Sequence, residues 1–388
     1  MKKIVYVTGS RAEYGIIKRL LLALDQDLEI ELTIVATGMH CDEKYGLTYK
    51  VIENDGLKID KLININIDTS NNAKVLNSMS ICQSEFGQYF QDNKFDAVMI
   101  LGDRYEIFSV AIAAAMHNLP IIHLHGGEKT LGNYDEFIRH AITKMSKLHL
   151  ASTEEYRQRI IQMGEHPDTV FNVGALGAEN SLLMDLPSKT QLETKFGSLQ
   201  KPYFMVVFHP ETLTSVSSSV QVIELLNALT EFSEQYDFVF IGSNSDTGSE
   251  EITIKVKYFC EQTQSRFMTS VTPEEYLALN KYSSGLIGNS SSGLIEIPSL
   301  KIPTINIGDR QKGRVRGDTV IDCICQQSMI IEAISLAQTT FMQNTTANSI
   351  NPYYQQAVLE STLIAIKNFI NNPIELCKDF YDISSLIK

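Results

Sequence analysis

No stretch of the 388-residue chain reaches the roughly 18 uninterrupted apolar residues of a membrane-spanning helix, so no membrane partner is expected. Positive charge is scarce too: 33 Lys+Arg stand against 46 Asp+Glu, a formal net charge of −13. That balance argues against a sequence-blind nucleic-acid binder, which needs a basic face to neutralise phosphates. Tryptophan is absent and cysteine is sparse. Of the six cysteines only Cys323 and Cys325 sit close together, which is neither a disulfide framework nor a zinc spacing. The amino-terminal MKKIVYVTGS starts basic but has only a short apolar run and no small-residue cleavage site, so no cleaved leader is expected. The expectation is a reduced, cytoplasmic protein without a structural metal.

What is present is a 44% hydrophobic chain long enough for two domains at about 100–200 residues each. Short β-branched runs alternate with helical patterns, the mark of parallel sheets with helices on their faces. Strands are read at 3–7, 30–37, 96–101, 120–125, 147–152 and 170–174, with helices starting near Glu13, Glu106 and Glu154. After a polar stretch at 187–201 the pattern restarts, with strands at 203–208, 237–242, 266–270, 285–288 and 303–307. The segment from about Pro352 to Asn371 reads as a long amphipathic helix. The division expected is 1–178 and 179–354, with a carboxyl-terminal helix over 355–388 packing back on the first unit.

Ligands in open α/β sheets sit beyond the carboxyl ends of strands, so the residues just after each strand carry the chemistry. The first strand feeds TGSRAEYG, a glycine turn into a helix amino terminus with Arg11 beside it, suited to an anion. A strand ending at Leu101 delivers Asp103, Arg104 and Glu106. The next gives His123, His125 and Glu128, followed by Asp135, Glu136, Arg139 and His140 on a helix. His123 and His125 alternate along a strand and cannot easily share a metal, whereas an imidazole is a side chain suited to acid/base work, which makes His125 a candidate. In the second half VVFHPET places His209 after a strand, and IGSNSDTG places Asn244 and Asp246 after another.

The strongest signal is GLIGNSSSGLIEIPSLKIPTINIGDRQKGR, in which Ser290 and Ser291 open a helix and Glu296 lies two turns in, placed for ribose hydroxyls. Arg310, Lys312, Arg314 and Arg316 cluster after the following strand. The combination points to a nucleotide diphosphate. No G-x-S-x-G elbow supports a serine hydrolase.

TGSRAEYG, TGMH, GDRYE, HGGE with DEFIRH, HPET, GSNSDTG and the long serine-to-arginine segment, in this order, closely resemble the UDP-N-acetylglucosamine 2-epimerases. The likeness is greatest to the bacterial hydrolysing (NeuC-type) branch of sialic acid synthesis. It implies two Rossmann-like domains of GT-B type with the active site in the cleft between them. It also implies release of UDP and N-acetylmannosamine from UDP-N-acetylglucosamine, with no nicotinamide and no obligatory metal. Matched motif by motif, Arg11, His209, Asn244, Ser290, Ser291, Glu296 and Arg310 would hold UDP, with Arg314 also on the binding side. Asp103, Arg104, His40, Glu128 and Asp135 would line the sugar side. Tyr276 falls where relatives carry an aromatic near the uracil.

The sequence departs from the family at His125, where many relatives have an acid/base glutamate. Either His125 or Glu128 must therefore supply that function. A related scaffold acting on UDP-diacetamido-dideoxy sugars, reversible epimerisation, and a nucleotide-sugar binding protein without turnover are the rival readings. A homodimer or homotetramer is expected from the apolar helices of the first unit.

Overall fold

The computed structural model describes residues 1–243, 245–375 and 377–383. Among the described residues, thirteen strands form two all-parallel sheets. The first contains β1 (Lys2–Thr8), β2 (Ile30–Thr37), β3 (Ile59–Ile63), β4 (Ala97–Leu101), β5 (Ile121–Leu124), β6 (Leu148–Ala151) and β7 (Val170–Asn172), in the order β3-β2-β1-β4-β5-β6-β7. The second contains β8 (Tyr203–Val207), β9 (Asp237–Ile241), β10 (Arg266–Met268), β11 (Leu286–Gly288), β12 (Thr304–Ile307) and β13 (Val320–Cys323), in the order β10-β9-β8-β11-β12-β13. Each is the doubly wound α/β arrangement, whose order reverses beside its first strand. The molecule is thus a pair of Rossmann-like units, as the sequence pattern predicts.

Burial explains the composition of the central strands. In β1, Ile4 and Tyr6 enter the core on one face, and Val5 and Val7 enter the core on the other. A strand covered on both sides has no polar face, hence the unbroken IVYV. Two strands escape the sequence pattern, β3 and β13, and each lies at one edge of its sheet. In β3 only Ile63 is buried, and in β13 only Ile321, so neither shows an apolar run.

The last helix spans Val358–Asn371, starting later than the sequence suggests, and the described residues beyond it form no further helix. Its start is fixed by a side chain far away in sequence. The buried Glu179 carboxylate accepts from the Val358 and Leu359 amides at 2.9 and 3.3 Å, and pairs with Arg19 at 2.9 Å. This is a helix cap supplied from outside the helix, where Ala357 offers no side chain of its own. Val358, Ala365, Ile366 and Ile370 then join Leu20, Leu24 and Leu148 in one core. Among the described residues no helix is long and apolar enough to cross a membrane.

The order reversals lie between β1 and β4 in one sheet and between β8 and β11 in the other. Gly288 ends β11 at φ +138°, and a Cβ there would run into the Val207 carbonyl of β8. Gly288→Ala is expected to destabilise the fold by about 3 kcal/mol, combining backbone strain with overpacking. Urea denaturation of the purified variant measures it, and an unchanged midpoint would show that the strands separate without cost.

Candidate active site

The loops after β1, β4, β8 and β11 face one another across a cleft enclosing about 1320 Å³, its solvent-open part included. Of the residues singled out in the sequence, Arg11, Asp103, Arg104, His125, Glu128, Asp135, His209, Ser290, Ser291, Glu296, Arg310 and Arg314 all line it. They come from both units. Arg11 spans the cleft, donating to the Val271 carbonyl at 2.9 Å with its guanidinium 5.9 Å from the Tyr276 ring centre.

The helix beginning at Arg11 is closed by a capping box. Ser10 accepts from the Glu13 amide, while the Glu13 carboxylate accepts from the Gly9 and Ser10 amides at 2.8 and 3.1 Å. Burial, with Glu106 adjacent, pushes Glu13 up to about 8. Opposite, the His209 amide donates to Asn289 Oδ1 at 2.7 Å, and its ring Nδ1 lies 3.0 Å from Ser243 Oγ. Burial, then Arg310 and Arg104, hold His209 well below its ordinary range, so it meets a ligand as neutral imidazole. Arg310 donates to the Asn289 carbonyl at 3.2 Å.

One expectation is corrected here. The helix after the serine loop is a single turn, Ser292–Ile295, and Glu296 sits at its end, not two turns along a continuous helix. Pro298 explains the break, because its ring fixes φ and removes a donor as the chain passes into a 3-10 turn at Ile297–Leu300. Glu296 still faces the cleft.

The other half of the cleft holds the acids. Asp103 pairs with Arg139, whose guanidinium is fully buried and also donates to the Glu128 carbonyl at 2.8 Å, Thr130 Oγ1 at 2.8 Å and Glu136 at 3.3 Å. Asp135, in the first turn of the helix Asp135–Met145, is pushed up to about 7 by burial and by Asp103 and Asp246, against the pull of Arg310. Glu128 is the opposite case. Burial alone would raise it, but Arg314 at 2.7 Å and His125 at 3.1 Å hold it well below the carboxylate range. His125 engages Glu128 through Nδ1, and its backbone sits at φ +65°, a left-handed conformation costing a non-glycine residue about 1–2 kcal/mol.

Arg104 is surrounded by acceptors: Glu106 at 2.5 Å, Ser245 at 2.7 Å and Asp246 at 3.7 Å. Asp246 also approaches Arg310 at 3.8 Å, so one carboxylate bridges the two arginines.

His40 does not join the cleft. It is fully buried between Thr8 Oγ1 and Thr48 Oγ1 at 3.1 and 2.9 Å, because the 3-10 turn Gly38–Cys41 folds its ring inward. Asn244 lies outside the described residues. Lys312 and Arg316 turn away from the site to pair with Asp309 and Asp322. Arg139 and Glu13 are the residues whose weight the sequence understated. The signal for Arg139 was its spacing of four from Asp135, which puts both on one helix face.

The sequence pattern of the UDP-N-acetylglucosamine 2-epimerase family matches residues 22–367. Polysialic acid biosynthesis protein P7 of Escherichia coli is 58% identical over 99% of this chain and 98% of its own length. The chain belongs to the UDP-N-acetylglucosamine 2-epimerase family. Within it, the GDP/UDP-N,N'-diacetylbacillosamine 2-epimerase (hydrolyzing) of Campylobacter jejuni is 38% identical over 83% of this chain and 84% of that protein. The solved UDP-GlcNAc 2-epimerase of Neisseria meningitidis, bound to UDP-GlcNAc, shares the fold with a TM-score of 0.78 at 18% identity. The match covers 95% of this chain and all of that one.

In this epimerase-family chain the raised Asp135 has a thermodynamic signature. Its folded pKa of about 7 exceeds the ordinary 3.8, so the folded state binds the proton more tightly than the unfolded state. The resulting penalty grows as pH rises from about 4 to 7 and is complete above that. Asp135→Asn should therefore unfold at a higher temperature than the parent protein at pH 8, with little difference at pH 4. Calorimetric scans showing no gain at pH 8 would remove the buried-acid description.

Proposed function

We propose that the protein is a hydrolysing 2-epimerase that converts UDP-N-acetylglucosamine and water to N-acetylmannosamine and UDP. The observation that carries this reading is the unequal state of the acids on one side of the cleft. Asp135 is poised near neutrality, whereas Glu128 is fixed as a carboxylate behind His125. A reaction that removes a proton from one face of a carbon and returns one to the other needs two such groups. The relative from Campylobacter jejuni, named as hydrolyzing, supports the hydrolytic outcome.

In this reading Arg11, Arg310 and neutral His209 hold the diphosphate and uridine, and Ser290 and Ser291 add donors. Glu296 accepts from the ribose hydroxyls. Departure of UDP breaks the bond from the anomeric carbon to oxygen and builds positive charge on that carbon, which the Asp103 carboxylate stabilises. The C2 hydrogen becomes acidic as the charge develops, and Asp135 takes it, leaving 2-acetamidoglucal and UDP. Water then adds its hydroxyl to the anomeric carbon and releases its remaining proton to solvent, while C2 gains a proton from the opposite face. His125, oriented through Nδ1 by Glu128, supplies that proton from its other ring nitrogen. The proton taken and the proton returned belong to different groups, so C2 inverts.

A second reading, a UDP-diacetamido sugar as substrate, is favoured by the relatives from Campylobacter jejuni and Legionella pneumophila, 38% and 34% identical and named for diacetylbacillosamine. NMR in deuterated water separates the two. With UDP-N-acetylglucosamine, the expected product is free N-acetylmannosamine carrying deuterium at C2, with stoichiometric UDP. Turnover of the diacetamido substrate alone would replace the assignment, and binding without turnover of either would make the protein a nucleotide-sugar receptor. Arg310→Ala should weaken UDP about 10- to 100-fold in calorimetry, the loss of a hydrogen-bonded charge, and unchanged affinity would take Arg310 out of the diphosphate site.

A further inference from the structure

His123 lines no part of the cleft, yet it touches both loops that carry the acids. It is the third residue of β5 and has no exposed surface. Its Nε2 lies 2.8 Å from the Gly102 carbonyl, one residue before Asp103. A carbonyl oxygen only accepts, so Nε2 carries the hydrogen. Burial, offset in part by this bond, lowers the imidazole to about 3 and keeps it neutral.

The Gly102 carbonyl shares a peptide plane with the Asp103 amide, so a bond that fixes the carbonyl fixes the orientation in which Asp103 leaves the strand. Gly102 itself is at φ +80°, a conformation that leaves the turn soft unless something pins it. On the other side of the ring, His123 Nδ1 and Thr143 Oγ1 would each lie 3.1 Å from a Cβ placed on Gly126. The turn carrying His125 and Glu128 therefore rests directly on this imidazole. Thr143 belongs to the same helix as Asp135 and Arg139 and bonds back to the Arg139 carbonyl at 3.0 Å. Behind His123, the paired position on β6 is His149, bound to the buried Glu165 at 2.9 Å.

We propose that His123 is the positioning residue of the reaction centre: it sets the Asp103 loop and the His125–Glu128 turn at one fixed separation. The proposal rests on Asp103 and His125 taking part in the chemistry. A glutamine side chain can place its amide nitrogen where Nε2 stands, whereas leucine has no donor and asparagine falls short.

The test compares His123→Leu with His123→Gln, measuring kcat, UDP affinity by calorimetry, and the Asp103 position by crystallography. His123→Leu is expected to lower kcat about 100-fold, the effect of a misplacement near 1 Å, with UDP affinity unchanged. His123→Gln should regain at least about tenfold of that loss, on the same scale. If the leucine variant fails to fold, His123→Asn takes its place. Full kcat in the variant without a donor, or no recovery with glutamine in a folded protein, would overturn the proposal. Should the parent protein turn over neither nucleotide sugar, the functional reading fails separately. The crystal structures then decide: Asp103 displaced without the donor and restored with glutamine upholds the positioning role, and an unmoved Asp103 overturns it.

Discussion

Arg139 is a cation with no exposed surface, and the acidic side of the cleft is organised around it. A guanidinium taken out of water must find acceptors for its donors, or the penalty reaches several kcal/mol. Those acceptors arrive from three places: Asp103 after β4, Thr130 and the Glu128 carbonyl in the segment after β5, and Glu136 on its own helix. Satisfying one charge therefore fixes three segments against each other. Asp103 pairs with Arg139, and burial, followed by the neighbouring Asp103 and Asp246, raises Asp135 to about 7. One buried cation thus ties both acid-bearing loops to the helix that carries Asp135.

The two sheets meet through charge as well as through apolar packing. Lys18 reaches Glu274 at 2.6 Å, Arg11 reaches the Val271 carbonyl, Arg104 reaches Ser245, and Arg314 reaches Glu128. Each pair has one member on each unit, and most flank or line the cleft. Apolar contact is concentrated further back, where Ala151, Tyr156 and Ile160 pack on Leu294, Ile295 and Tyr353. The rear of the junction is thereby held by burial, and the mouth by interactions that an anionic ligand can compete for. Asp246, shared between Arg104 and Arg310, is the clearest such contact, since a diphosphate would offer both arginines more charge than one carboxylate does.

The sequence revealed most where a residue's role is local. Central strands are legible because burial on both faces excludes polar residues. β3 and β13 are not, because each buries a single side chain and shows no apolar run. The cleft residues could be collected by their place after strands, a rule of topology needing no coordinates. His40, placed on the sugar side by the family resemblance, shows where motif matching fails: its turn after β2 points the ring into the protein. The short helix after the serine loop was lost for another reason, because hydroxyl-rich capping looks alike whether one turn follows or several. Protonation states were beyond the sequence altogether. Glu128 and Asp135 are both carboxyl groups near the same loop, and only the distances to Arg314 and Asp103 set them apart.

The terminal helix has a consequence for how the chain is made. Val358, Ala365, Ile366 and Ile370 complete the core beneath β1 and the helix Arg11–Asp25, and Glu179 waits for the Val358 amide as its acceptor. A ribosome adds about 5–20 residues per second, so roughly 10 to 40 s pass between the emergence of Glu179 and that of the helix it caps. Throughout that interval the first half of the protein exposes an apolar groove and a half-satisfied carboxylate. The nascent chain must therefore carry an unfinished core while the entire second sheet is synthesised.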